Sequence, residues 1–321
     1  MMIRKFSVIL VFVLVIVLAS TACAGAGIEA DADSLAQRQD LIAKIKEYEK
    51  GIGFRATKTF QKYSGKQDAY YLCYYTGIFE LPDSYEGLKF KDGNKDGCDI
   101  DEQKYDVLFH AAEAIAGEKT PITPSLLRNS TERFIMTVIH EDFHEQVGEN
   151  LPTGAMNESF STFIGLAAAS QFARDEFGET SQAYVDLSND TKNFLQAARI
   201  ANGYHKKLNV IFKSHHDGTI TARHAATKKA KVFLQLQKEC SALPAPTAVW
   251  RCPGFNNAHL AFSVTYSRHY PLAYELYMAK GQDLAATMQA ILEVSQKRLS
   301  EEEAVDYLQS IINQSSKKLP S

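Results

Sequence analysis

His140, Glu141 and His144 fall in the order His-Glu-x-x-His within His140-Glu141-Asp142-Phe143-His144. Two histidines four residues apart leave one face of a helix about a turn from each other, which suits two neighbouring positions of a tetrahedral zinc ion. Glu141, beside the first histidine, can lean toward the open coordination position. There it can take a proton from a zinc-activated water and pass it to a leaving amine. Zinc lowers the pKa of such a water to about 7, so hydroxide is available at neutral pH. Two histidines leave a catalytic zinc one protein ligand short, and Glu158 in Asn157-Glu158-Ser159-Phe160-Ser161-Thr162 can supply it. The expected chemistry is peptide-bond hydrolysis, with His140, His144 and Glu158 on zinc and Glu141 as base. Thr162, one turn beyond Glu158, is a candidate hydrogen bonder behind the metal ligands.

These residues work only if helices present them together. A helix is expected up to about Val147, capped by Asn129 or Ser130, with Glu132 in its first turn. Its Phe134-Ile135-Met136 and Val138-Ile139 stretches are apolar, as a buried helix requires. Gly148 to Gly154, with Pro152, reads as a turn, and a second helix follows from about Ala155 to Phe177, stopped by Gly178. A short turn makes consecutive helices antiparallel neighbours, which brings Glu158 to face the histidines. The plainer alternative is a solvated helix face that happens to carry two histidines. The apolar run and the glutamate on the next helix weigh against it.

The rest of the chain is mostly helical in pattern, with helices expected over 34–50, 105–116, 182–213 and 221–239 and again after the Cys240 to Cys252 loop. Tyr70 to Phe79 is aromatic and β-branched and reads as strand, broken by Leu81-Pro82-Asp83. His215 and His216 are expected in a polar loop with Asp217 and Gly218. The fold class is therefore mainly α with a small β-containing N-terminal region. Residues 27–104 would form that region and 105–321 a helical domain, packed as one compact body.

The chain has 321 residues and a formal net charge of -3, which gives no electrostatic reason to expect nucleic acid as a partner. Arg4 and Lys5 precede an apolar run from Val8 to Leu18 and then small residues, the order of a secretory signal over residues 1–26. Cys23 after Ala19-Ser20-Thr21-Ala22 resembles a bacterial lipoprotein signal, so export with or without a lipid anchor to the membrane is expected. Of the five cysteines, four then remain, and an exported chain favours two disulfides, here Cys73 with Cys98 and Cys240 with Cys252.

The motif His140-Glu141-x-x-His144-x-Gln146, followed by Asn157-Glu158-Ser159-Phe160-Ser161-Thr162-Phe163-Ile164-Gly165, resembles the bacterial putative aminopeptidase family of exported gluzincins. Further matches are Lys228 to Leu236, Asn256-Asn257-Ala258-His259-Leu260, Thr265-Tyr266 and Tyr270-Pro271-Leu272-Ala273-Tyr274. Together they cover roughly the C-terminal two-thirds. The resemblance implies a zincin-like, α-rich metallopeptidase acting on a peptide or protein substrate. Asp142 and Phe143 depart from the small, apolar pair that the family motif leads one to expect, and the shape of the adjoining pocket is expected to show it. A gluzincin needs a donor for the tetrahedral oxyanion, and Tyr266 is favoured over His269 for that part. Asn256 and Asn257 are read as helix caps.

Asp92-Gly93-Asn94-Lys95-Asp96-Gly97 opens like an EF-hand loop, but Gln103 stands where the closing glutamate belongs. Ca2+ at Asp92 to Asp96 is the weaker metal expectation, against a polar turn stapled by Cys98. Two other functions compete with hydrolysis: an envelope protein with a structural or vestigial metal site, and a calcium-dependent binding module. An intact Glu141 speaks for the hydrolase, because a structural site has no need of a base.

Overall fold

The computed structural model describes residues 32–249, 254 and 256–316. The expected signal over residues 1–26, including Cys23, lies outside them, as does Cys252.

Four α-helices form the body around the site. α3 (Thr131–Val147) is capped by Ser130, whose Oγ accepts from the Arg133 amide at 3.2 Å. It is buried on nearly all sides, as its apolar run predicts. Gly148 ends it with φ 57° and ψ -148°, a backbone state open essentially to glycine alone. α4 (Gly154–Phe177) begins six residues later under a Thr153 cap and returns antiparallel along α3. Gly165 sets how close the two can come: a Cβ there would stand 3.2 Å from both His140 Cβ and the Met136 carbonyl. α5 (Gln182–His216) and α7 (Asn257–Ser267) pack on the other sides of α4.

The remaining helices are supports. α1 (Ala32–Gly51) lies across α3, and α2 (Pro124–Leu127) is a single turn beside α1. α6 (Ala222–Ser241) pairs with α5; α8 (Tyr270–Ala279), α9 (Leu284–Lys297) and α10 (Glu301–Ser316) close the core around α4. Among the described residues no helix is long and apolar enough to cross a membrane.

In front of the helices stands an antiparallel sheet in the order β2-β1-β3, from β1 (Tyr70–Gly77), β2 (Lys89–Asp92) and β3 (Tyr105–Ala112). The helix expected over residues 105–116 is thus a strand as far as Ala112. Alanines near its end favour helix locally, but eight residues of β1 offer a full ladder, and pairing overrides the local preference. The sheet therefore straddles the boundary expected between 104 and 105. The Asp106 carboxylate ties β3 to the helices, accepting from the Asn257 amide at 2.7 Å and from Lys229 Nζ at 2.5 Å. His215 and His216 form the last turn of α5 rather than a loop. His216 Nε2 is held there at 3.1 Å from the Phe79 carbonyl.

Cys73 and Cys98 form the expected disulfide, linking β1 to the acidic loop. Cys240 is also disulfide-bonded. Asn256 caps α7, its Oδ1 accepting from the His259 amide at 2.9 Å. Asn257 instead uses its side-chain amide to hold the Ile78 and Glu80 carbonyls at 3.1 and 2.9 Å.

Candidate metal centre

α3 and α4 bring His140, His144 and Glu158 to one point. The two Nε2 atoms are 3.1 Å apart, and Glu158 Oε2 lies 3.3 Å from one and 3.4 Å from the other. Ligand atoms about 2.0–2.2 Å from a tetrahedral ion sit roughly 3.3–3.6 Å from each other, so this triangle has nearly the size that a small four-coordinate cation requires. Glu158 Oε2 is buried, and although both imidazoles are near it, neither donates a hydrogen bond to it. Without a metal the positive charge that meets this oxygen is the His144 imidazolium, and a cation at the centre of the triangle would take its place. The group fits a metal ion, and among the described His, Cys, Asp and Glu residues it is the set that converges in this way.

The outer nitrogens are treated differently. His144 Nδ1 donates to Asn157 Oδ1 at 2.9 Å, while Asn157 Nδ2 donates to the Gly148 carbonyl at 3.1 Å. That second bond fixes which way the amide points, so it also fixes the His144 tautomer that leaves Nε2 free to ligate. Ser161 Oγ is 3.2 Å from the same Nδ1. His140 Nδ1 is buried without a hydrogen-bond partner among the described residues. Burial alone would lower the His144 pKa, but the Glu158 charge and contact outweigh it and push it up to about 9. The Glu158 carboxyl, despite a burial that works the other way, is held well below the usual range by His144 and His140.

Glu141 lines the same cleft, 8% exposed, and its carboxylate makes no hydrogen bond or ion pair among the described residues. Burial raises its pKa, partly offset by the two histidines. The cleft measures about 830 Å³. Tyr266, from α7, lines it with its ring 6.3 Å from that of His140 and nearly parallel to it. Burial, followed by the Glu158 charge, pushes the Tyr266 phenol well above its ordinary value, so it stays a donor. His269 is not in the cleft; it bonds Glu301 at 2.8 Å.

Two expectations need correction. Thr162 lines the cleft, but its hydroxyl is buried with no hydrogen-bond partner among the described residues, so it does not support the ligands. Asp142 and Phe143 do not shape the pocket. Both point to the back of α3, where Phe143 packs against Phe54 at 6.0 Å and the fully buried Asp142 carboxylate binds Lys46 Nζ and the Thr59 hydroxyl, with Thr57 Oγ1 at 2.9 Å. Asp92, Asp96 and their neighbours lie on an exposed turn closed by Asn94 and Gly97.

The structure adds residues that the sequence did not offer. Tyr85, in a single 3-10 turn (Tyr85–Gly87), donates from its phenol to Glu158 Oε1 at 3.4 Å. His110 of β3 enters the cleft beside Phe262, and burial lowers its pKa to about 4, which keeps it neutral. Arg133, in the first turn of α3, pairs with Glu113 at 2.9 Å. Toward the other end of α3 the cleft is lined by Glu145, Glu149 and, beside Gly154, Glu86, none with an ion-pair partner among the described residues. Nothing in the spacing marked Tyr85 or His110; the pairing of β1 with β3 places His110, and the bond from the Tyr85 amide to Thr265 of α7 places Tyr85.

A largely buried His-His-Glu triangle lining a cleft, carried on two antiparallel helices with Glu141 beside it, gives this helix-rich protein a group that could hold a metal ion. The chain belongs to the putative aminopeptidase family, whose model matches residues 95–305. The family points to peptidase activity and hence to peptide substrates. Neither the curated proteins nor the solved structures give a match. The matched segment contains all three converging ligands and Tyr266 but starts beyond β1, Tyr85 and β2.

Proposed function

We propose that the protein is a zinc-dependent aminopeptidase, with His140, His144 and Glu158 as ligands, Glu141 as general base and Tyr266 as transition-state donor. The observation that carries this reading is the converging ligand triangle with a buried, unpartnered Glu141 beside it. Two imidazoles and one carboxylate with room for one more ligand are a common catalytic zinc set. Zinc, when bound there, supplies a Lewis acid that polarises the scissile carbonyl and makes water acidic.

The chain's own residues do the rest. Glu141 takes a proton from the attacking water as its oxygen bonds to the scissile carbon. It then delivers that proton to the amine nitrogen as the C–N bond breaks. A pKa raised by burial brings Glu141 closer to the range where it can both accept and return a proton. The Tyr266 hydroxyl, kept protonated by its buried setting, donates to the oxygen on which negative charge develops. His110, neutral and set among aromatic side chains, helps line an apolar wall for the substrate.

The exopeptidase part of the reading rests on the cleft's acidic end. Glu86, Glu145 and Glu149 offer negative charge to a free α-ammonium, which an N-blocked peptide lacks. Zinc-loaded protein is therefore expected to hydrolyse aminoacyl amides with a free amino terminus and to leave their N-acetylated counterparts largely intact. Equal cleavage of both would replace aminopeptidase by endopeptidase. Cleavage of neither, across residues of every side-chain class, would remove the hydrolase.

A further inference from the structure

We propose that Tyr85 is a positioning residue of the metal centre: its phenol occupies Glu158 Oε1 and so reserves Oε2 for the metal. The inference rests on the metal reading above and adds to it a residue from outside the family-matched segment.

A carboxylate facing a cation can bind through one oxygen or both, and its second oxygen must find a donor if it is to stay off the metal. Here the two oxygens of Glu158 are already unlike. Oε2 faces both imidazole nitrogens without a hydrogen bond, whereas Oε1 receives the Tyr85 hydroxyl at 3.4 Å.

The residue is held by its backbone and by two ring neighbours. The Tyr85 amide donates to Thr265 Oγ1 at 2.8 Å, and Thr265, fully buried, donates onward to the Ala261 carbonyl at 3.0 Å. The ring itself lies 6.0 Å from that of Tyr74 and 6.2 Å from that of Phe262. Thr265 is the neighbour of Tyr266, so one α7 segment fixes both tyrosines that approach Glu158. The N-terminal region thereby does more than roof the cleft: it supplies a hydrogen bond to a metal ligand.

The test is Tyr85→Phe, which removes the hydroxyl and keeps the ring. Zinc affinity of wild type and variant is measured by competition with a chromogenic chelator, together with the visible absorption of the cobalt(II)-loaded proteins and the melting of both metal-free forms. The expected result is zinc binding weakened about 10- to 100-fold, as for other outer partners of metal ligands, an altered cobalt spectrum and unchanged metal-free melting. Equal zinc affinity in the two proteins would overturn the proposal, whether or not peptide hydrolysis falls. So would a loss of affinity matched by a fall in metal-free melting, since Tyr85 would then support the fold. Absence of zinc binding by wild type itself would mark failure of the metal reading instead.

Discussion

The two walls of the cleft are made in different ways. The α3–α4 wall carries the three candidate ligands and Glu141, and local rules place each of them: a four-residue spacing, a Ser130 cap, a glycine stop and a short turn. The opposite wall takes Leu72 and Tyr74 from β1, His110 and Ala112 from β3, Tyr85 from the 3-10 turn, and Phe262 and Tyr266 from α7. No local rule joins those segments. In the proposed reading the helical wall holds the ligands and the base, and the mixed wall holds the donor Tyr266 and most of the shape, so changes on the two sides should fail in different ways.

The largest effect is expected on the helical wall. Glu141→Gln should lower peptide hydrolysis by about 10²- to 10⁴-fold while the metal content stays at the wild-type level, checked by steady-state rates and elemental analysis. Loss of the metal as well would show that Glu141 acts in binding.

The back of the same wall is predicted to matter for stability. Asp142→Ala removes the carboxylate that Lys46, Thr57 and Thr59 share. Lys46 keeps both threonine hydroxyls and Glu49 at 4.0 Å and is partly exposed, so the loss should fall below the roughly 3–5 kcal/mol of a fully buried pair, at about 1–3 kcal/mol. Denaturant unfolding should register that loss. A change near zero would mean that α1 does not brace α3.

Asn157→Ala should weaken metal binding about 10- to 100-fold by freeing the His144 ring, read by chelator competition. An unchanged affinity would show that Ser161 alone can hold the ring.

pH sharpens the contrast in the metal-free protein. His144, raised from 6.5 to about 9, contributes stability that is full below 6.5 and is lost as pH rises through about 9. Glu158, depressed from 4.5, contributes stability that is present above 4.5 and lost as pH falls. The pair therefore stabilises most between 4.5 and 6.5. At pH 7 metal uptake should displace about one proton from His144. Calorimetry in buffers of different ionisation enthalpy would measure it, and zero proton release would contradict the ion pair.

The smallest expected effect is a gain. Glu49, packed behind α3, is pushed up to about 10 by burial and by Asp142, and its Oε1 has no hydrogen-bond partner. Glu49→Gln removes a carboxyl that resists ionisation and should raise stability at pH 8 by about 1 kcal/mol. A loss would show that the charge of Glu49 is used.

What the sequence disclosed follows the same division. The helix hairpin, the Ser130 cap and the His140-His144-Glu158 set were legible because spacing and capping chemistry act over a few residues, and the Cys73–Cys98 bridge because four cysteines in an exported chain favour two sequence-local pairs. β3 was not: its alanines suit a helix, and its strand identity comes from β1, thirty-odd residues upstream by its pairing. Tyr85 carried no signal at all, since a tyrosine after Pro82-Asp83-Ser84 looks like any loop aromatic. Asp142 was legible as a departure from the family motif, yet its direction was not, because the Lys46 that receives it lies on α1. Tyr266 could be singled out only through the resemblance, and the fold then brought it against His140.

The most direct test of the central claim is the metal content of purified wild type and His144→Ala, measured in parallel by elemental analysis after equilibration with zinc. About one zinc per chain in wild type and none retained in the variant is the predicted result. Zinc absent from both, or present equally in both, would contradict a metal centre built on His140, His144 and Glu158.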